Sequence, residues 1–413
     1  MIFPRSRQAI KLVRLLILTA ALLGCSVSGD NVQQRSSTSS SSSPHLYAVE
    51  IDGKYGFIDE HGNLKFTLPE DVYTVGEFSE GLAVVARRFE KIYGRWGYID
   101  QTGKIVIENK FNLAKTFSEG LAAVIVGEGP SSAGGKIGYI DRTGRMIIQP
   151  QFDQAGVESD YAFSEGLAAV PLEHARWGYI DKTGKFVIEP KFRVALPFSE
   201  GRAIAGIAEP DFAEPKYGFI DKQGRWIVTP QYESVEEFSE SLAAIVVGTK
   251  LGFIDLEGRL VIKPQFDAHG HCPDSETVNR FSQGLAAVPI DGKWGFIDRA
   301  GKWVIKPAFD CAMPFSEGVA LVGVRDEKGR WLFGYVDKTG ATVIKPQFSQ
   351  ARSFTGELAR VWIGMSEDEV LLKALRDQQA GKPKEEIEKE LETNKPKYGF
   401  IDRTGKFVWK QTK

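Results

Sequence analysis

The sequence predicts an all-β protein: nine tandem β-meander repeats of about 40 residues, arranged as a β-propeller-like array or as an open β-hairpin solenoid, with a small helical insertion in the last repeat. Three observations carry this. A segment typified by Lys293-Trp294-Gly295-Phe296-Ile297-Asp298 recurs around Gly56, Gly97, Gly138, Gly178, Gly218, Gly252, Gly295, Gly334 and Gly399, in steps of 34 to 43 residues and a last step of 65. A second segment, typified by Phe-Ser-Glu-Gly-Leu-Ala-Ala-Val, starts at Phe78, Phe117, Phe163, Phe198, Phe238, Phe281 and Phe315 and returns altered at Phe354. Glycine, 43 of 413 residues, exceeds the usual ~7% and implies many tight turns.

The N-terminus reads as an address. Arg5, Arg7, Lys11 and Arg14 precede the apolar run Leu15 to Leu23, which falls short of the ~20 residues a membrane-spanning helix needs. Leu22-Leu23-Gly24-Cys25 then resembles the bacterial lipobox, in which cleavage falls before the cysteine and its sulfur is diacylated. Residues 1–24 are thus expected to be a lipoprotein signal peptide and Cys25 the lipidation site. Their removal takes away four positive charges and no acid, moving the net charge from -2 to -6. Residues 25–45 contain a serine-rich run that cannot bury enough apolar surface to order itself, so they are expected to form a disordered tether. The repeat array fills 46–413.

Within each repeat, Leu-Ala-Ala-Val, Trp-Gly-Phe-Ile-Asp and Trp-Val-Ile-Lys-Pro have the aromatic and β-branched content of strands. Asp-x-x-Gly, as in Asp298 to Gly301, joins the last two, because Asp can accept local N–H groups and Gly can take φ > 0. The spacing fits a type I turn with a bulge. The following proline (Pro150, Pro190, Pro230, Pro264, Pro307, Pro346) lacks a donor and is expected to end the strand, with Pro-Gln-Phe-Asp a candidate start for a fourth. The glycine between large aromatics is expected to lie under another backbone or ring, with Trp294 and Phe296 on one face. One unit cannot hide its apolar face alone, so neighbours must cover it.

These residues resemble the bacterial WG-repeat, or KWG-repeat, proteins over Leu46 to Trp409. Ile137 and Leu251 depart from the aromatic before Gly, and Asn109 from the proline. The resemblance implies a repeat architecture and often an envelope location, and supplies no catalytic residues. Against ring closure, neither terminus carries part of a split blade, and nine units exceed the typical 4 to 8 blades.

Residues 366–394 lack the strand signature. Ser366 and Glu369 have capping-box spacing, and Val370, Leu371, Ala374 and Leu375, then Ile387 and Leu391, recur at helical intervals. This predicts a helical hairpin, either an end cap over the last exposed sheet or a partner-docking element.

Composition leaves little material for chemistry. Lys+Arg 52 against Asp+Glu 54 argues against nucleic acid as a partner. His45, His61 and His174 stand alone, and the glutamates Glu80, Glu119, Glu165, Glu200, Glu240 and Glu317 recur once per unit, as structural acceptors would. One carboxylate per turn is too few for calcium, which takes 6–8 oxygens. The concentrated spot is His269, His271 and Cys272, with Asp274 nearby. Cys311 lies in the corresponding loop of the next unit, so a Cys272–Cys311 disulfide is the preferred expectation, and a metal on His269, His271 and Cys272 the alternative. No cofactor is expected. The functional expectation is a non-enzymatic binding or scaffold lipoprotein of the bacterial envelope, in the outer membrane where there is one, held to lipid through acylated Cys25 and binding protein or polysaccharide. The alternative is an enzyme that degrades envelope polymers from one face of the array.

Mass spectrometry of the mature chain is expected to find diacylglyceryl cysteine at position 25. A Cys25→Ala variant that stays equally membrane-bound would reject the anchor.

Overall fold

Among the described residues, thirty-four strands assemble, in chain order, into nine small antiparallel sheets, the blades of a β-propeller. The computed structural model describes residues 45–89, 93–127, 134–155, 161–172, 176–207, 215–268, 270, 272–273, 279–365, 367–394 and 396–411. The signal-peptide, Cys25 and serine-tether expectations lie outside the described residues, as do those on His174, His269, His271, Asp274 and Ser366. Blade 3 shows the unit: Leu113–Ala114, Leu121–Val126, Lys136–Asp141 and Met146–Phe152, paired in that order. Its second strand is buried until the last residue, while the fourth alternates exposed and buried, as an edge strand with one covered face does. Among the described residues, blades 1 and 4 have three strands and the other seven have four.

Two local expectations need correcting. The proline does not end its strand: Phe186–Phe192 runs through Pro190, with a register shift between Tyr179↔Ile188 and Trp177↔Phe192. A missing N–H costs nothing at a sheet edge, and the bulge folds the strand across the neighbouring glycine. A Cβ on Gly178 would stand 2.6 Å from the Ile188 carbonyl oxygen and 2.8 Å from the Pro190 nitrogen, so the backbone expected over this glycine is there. Nor does Pro-Gln-Phe start a new strand. In five blades the next strand starts after a single intervening residue, as in Phe192-Arg193-Val194, where the chain passes directly into the following blade.

Blade-to-blade packing repeats one device. The third-strand aromatic of each blade meets the Phe-Ser-Glu-Gly phenylalanine of the next: Tyr98–Phe117 at 4.8 Å, Tyr179–Phe198 at 4.9 Å, Phe296–Phe315 at 4.9 Å and Tyr335–Phe354 at 4.9 Å between centroids. Such tilted ring pairs contribute about 0.5–1.5 kcal/mol beyond the area they bury. The serine after each phenylalanine donates to the next phenylalanine's carbonyl, from Ser79 Oγ to Phe117 O (2.8 Å) through Ser316 Oγ to Phe354 O (2.8 Å). The turn glycine sits on an apolar side chain of the preceding blade, as Gly301 does on Ile262 and Gly103 on Phe66.

The ring closes without a split blade, so that objection to closure fails, and blade 1 is the reason. It has no Phe-Ser-Glu-Gly strand among the described residues, and blade 9 side chains take that strand's place. Tyr47 supplies the ring against Phe400 (5.4 Å) and donates its hydroxyl to Thr355 O (2.8 Å). Arg360 Nη2 donates to Ala48 O (3.0 Å), and the Glu50 N–H donates to Tyr398 Oη (2.6 Å). Arg360 also lies 5.2 Å from the Tyr398 ring centroid and 5.3 Å from that of Phe400. The first-blade turn glycine, Gly62, rests on Val408 of blade 9.

Gly301 has φ +78°, and a Cβ there would meet Ile262 Cγ2 at 3.1 Å. Gly301→Val is therefore expected to destabilise the protein by about 1–3 kcal/mol through backbone strain. Chemical denaturation with an unchanged midpoint would place Gly301 outside such a turn.

Candidate functional site: the loop side of blades 7 to 9

Antiparallel topology gives the propeller two sides. The Phe-Ser-Glu-Gly and Asp-x-x-Gly turns share one, the turn side. The connections between second and third strands share the other, the loop side, together with the crossings between blades.

Carboxylates of the turn side are occupied by the fold. Asp141 Oδ1 accepts the Thr143 N–H (2.9 Å), the Thr143 hydroxyl (2.6 Å) and the Arg145 N–H (3.1 Å). The threonine hydroxyl does most to hold this carboxyl below its usual range, against a smaller opposing effect of desolvation, and the same holds at Asp181 and Asp337. The repeated glutamates sit at positive φ in two-residue Glu-Gly turns: Glu119 has φ 53° and Gly120 has φ 85°, the signs a type I′ hairpin needs. Each carboxylate reaches the next blade's turn, as Glu119 Oε2 does to accept the Gly166 N–H (3.0 Å). Lys182 then pairs with Glu119 at 3.2 Å. An open cleft of about 230 Å³ between blades 6 and 7 includes Asp255, Glu257 and Arg259 in its lining, and there too the charges pair with one another.

Glu236, in blade 6, went unnoticed in the sequence. Burial, then Glu237, push its carboxyl up to about 7, against Arg280 of blade 7. The available signal was two adjacent acids where blade 5 has Leu196-Pro197. No group of three or more potential metal ligands occurs among the described residues.

The loop side of blades 7 to 9 differs from the repeat. Cys272, in the crossing from blade 6 to blade 7, is joined by a disulfide to Cys311, the first residue of blade 8, with Cα atoms 5.1 Å apart. The bridged crossing passes over the buried Trp294 ring, where a Cβ on Gly270 would collide at 2.1 Å. Lys293 Nζ holds Asp310 Oδ1 at 2.6 Å, and Asp310 Oδ2 accepts the Arg325 N–H at 2.8 Å. The Arg325 guanidinium stacks 4.5 Å from the Trp331 ring centroid.

Beside this platform stands the insertion in blade 9. Helix α1 (Glu367–Gln379) and helix α2 (Lys384–Thr393) form the expected hairpin. Val370, Ala374, Ile387 and Leu391 line their seam. Lys373 and Lys382 both bind Glu390 and hold its carboxyl at about 2. Leu371 and Leu372 point elsewhere and are 42% and 55% exposed. The hairpin is no end cap, because blade 1 already covers blade 9.

Counting thiols under denaturing conditions with chelator should find none at Cys272 or Cys311 in protein from its native compartment. Two free thiols with stoichiometric zinc would favour the metal alternative instead.

The family model for the WG containing repeat matches residues 96–128, 137–170, 177–207, 217–250, 252–294, 294–328 and 333–362, more than half of the chain. No curated protein matches the chain. Among solved structures, a eukaryotic initiation factor is 12% identical, with 90% of this chain and 96% of that one covered at a TM-score of 0.56. BamB from Moraxella catarrhalis is 13% identical, with 71% and 92% covered at 0.39. The first likeness concerns the fold alone, and the second is too weak to add to it.

Proposed function

This chain belongs to the WG-containing repeat family, and from that premise we propose that it is a non-enzymatic scaffold: a lipid-anchored, extracytoplasmic propeller of the bacterial envelope that docks a protein on the loop side of blades 7 to 9. The observation that carries the docking is the helical hairpin. It interrupts the last repeat, has no sheet end to cover in a closed ring, and leaves Leu371 and Leu372 exposed. A protein partner is favoured over polysaccharide because every exposed large apolar side chain among the described residues is Leu, Ile or Val. Sugars stack on flat rings, whereas aliphatic pairs fit apolar pockets in proteins. The envelope location is supported by Leu22-Leu23-Gly24-Cys25 and by a disulfide, which persists in oxidising compartments.

Capture from detergent-solubilised membranes tests the docking. The full chain should retain a partner that is lost both on replacing residues 366–394 with a short Gly-Ser linker and in the Leu371→Lys, Leu372→Lys double variant. These exposed substitutions should change stability by no more than about 0.5 kcal/mol. Identical captured proteins from all three chains would reject the site.

A further inference from the structure

We infer that the turn-side cleft between blades 6 and 7 binds a carboxylate that carries a short aliphatic group, with Arg299 as its cation. The site lies on the opposite side from the docking surface proposed above and does not depend on it.

The cleft lies where blade 6 departs from the repeat twice. In six blades the residue after the turn aspartate is a cation. In blades 4, 5 and 9 that cation reaches back to the glutamate of the preceding blade: Lys182 to Glu119, Lys222 to Glu165 and Arg403 to Glu317, each at 3.2 Å. Glu119 in turn accepts the Gly166 N–H, so Lys182 runs past the Glu165-Gly166 turn of its own blade. Blade 6 has Leu256 instead, which is too short to pass its own turn and reach Glu200. Ser241 of that turn and Leu242 are left as a wall of the cleft. Ser241 is the second departure, since six other blades have glycine there. Its φ is 64°, and its N–H donates to Glu200 Oε2 (2.7 Å). Its hydroxyl has no partner among the described residues.

Arg299, in the turn of blade 7, supplies the charge. The glutamate that matches it, Glu240, is present and accepts the Gly284 N–H (3.0 Å). Arg299 nevertheless makes no ion pair among the described residues and lines the cleft. Arg142 is unpaired too, but it lies on blade 2, where a Cβ on Gly81 would meet its Nη2 at 3.3 Å. The acids of the cleft are committed. Asp255 Oδ2 and Glu257 Oε2 each hold Arg259 at 2.7 Å, and Asp255 Oδ1 accepts the Glu257 and Arg259 N–H groups. These three side chains carry one net negative charge, which Arg299 balances.

The ligand class follows from what is left. The free donors are the Arg299 guanidinium, whose fork matches a carboxylate, and the Ser241 hydroxyl. A phosphate dianion would bring a second charge close to Asp255 and Glu257 with no cation to meet it. Leu256 and the exposed Val261 offer apolar surface beside these donors, and about 230 Å³ admits one residue-sized group.

Saturation-transfer NMR on the full chain in non-ionic detergent tests the site, with N-acetyl-L-leucine as the probe. Saturable binding in about the millimolar range is expected for so small a ligand. N-acetyl-L-leucinamide, which lacks the charge, should bind about tenfold more weakly or worse, and Arg299→Gln should weaken the acid to a similar degree. Leu256→Lys restores the residue of blades 4 and 5 and should abolish binding. Ser241→Gly restores the glycine and should weaken binding severalfold while raising the denaturation midpoint. Arg299 is exposed and Leu256 half-buried, so both of their variants should keep the wild-type midpoint. Equal binding of acid and amide, or unchanged binding in folded Arg299→Gln or Leu256→Lys, overturns the site. So does the absence of saturable binding, and binding of inorganic phosphate in place of the probe overturns the carboxylate.

Discussion

Everything in this propeller depends on the contact between one blade's third-strand aromatic and the next blade's Phe-Ser phenylalanine. Each sheet is too small to bury its own faces, and the ring pair places an apolar wall from the neighbour across it. Around that pair gather the serine bond to the next phenylalanine carbonyl, the glutamate bond to the next turn and the glycine resting on the previous blade. A repeat protein with open ends must cap its terminal units. Here the same contact is made once more by Tyr47 and Phe400, and no end remains.

The seam shows how a ring closes on a blade that has three strands among the described residues. An unpaired strand edge invites other chains to add to it. Arg360 and Tyr398 occupy the edge of Tyr47–Ile51 at Ala48 O and the Glu50 N–H. Arg360 stands where other copies carry alanine, as at Ala123 and Ala169, so its size and donors are available only in the blade that needs them. Closure also changes the meaning of the helical insertion. In an open array it would shield the last sheet, whereas in a ring no sheet end is left for it to shield.

Repetition also sorts structural charge from functional charge. The recurring Asp carboxylates are bound by N–H groups of their own turns, and the recurring glutamates by N–H groups and cations of the next blade's turns. The residues outside the repeat, namely the bridged crossing over Trp294, the Arg325–Trp331 stack and the hairpin, fall on one side and in neighbouring blades. That concentration is the ground for the docking surface proposed above, as distinct from the framework that carries it.

The repeat, its strands, both turn types' glycines and the hairpin were legible in the sequence because each depends on local chemistry: φ > 0 at Gly301, a carboxylate acceptor at Asp298, helical spacing at Val370 and Ala374. The six-fold glutamates were legible as structural through repetition alone. The course of the strand through Pro190 was not, because a proline that breaks a central strand is harmless at an edge, and only pairing reveals which strand is the edge. Ring closure was not either. It turns on Tyr47 meeting Phe400 and Arg360 meeting Ala48, contacts between residues more than 300 positions apart whose identities carry no periodic signal. The sequence by itself determined the unit and how many copies there are; the tertiary structure decided that the copies form a ring, because the angle between successive blades is set by packing summed over nine interfaces.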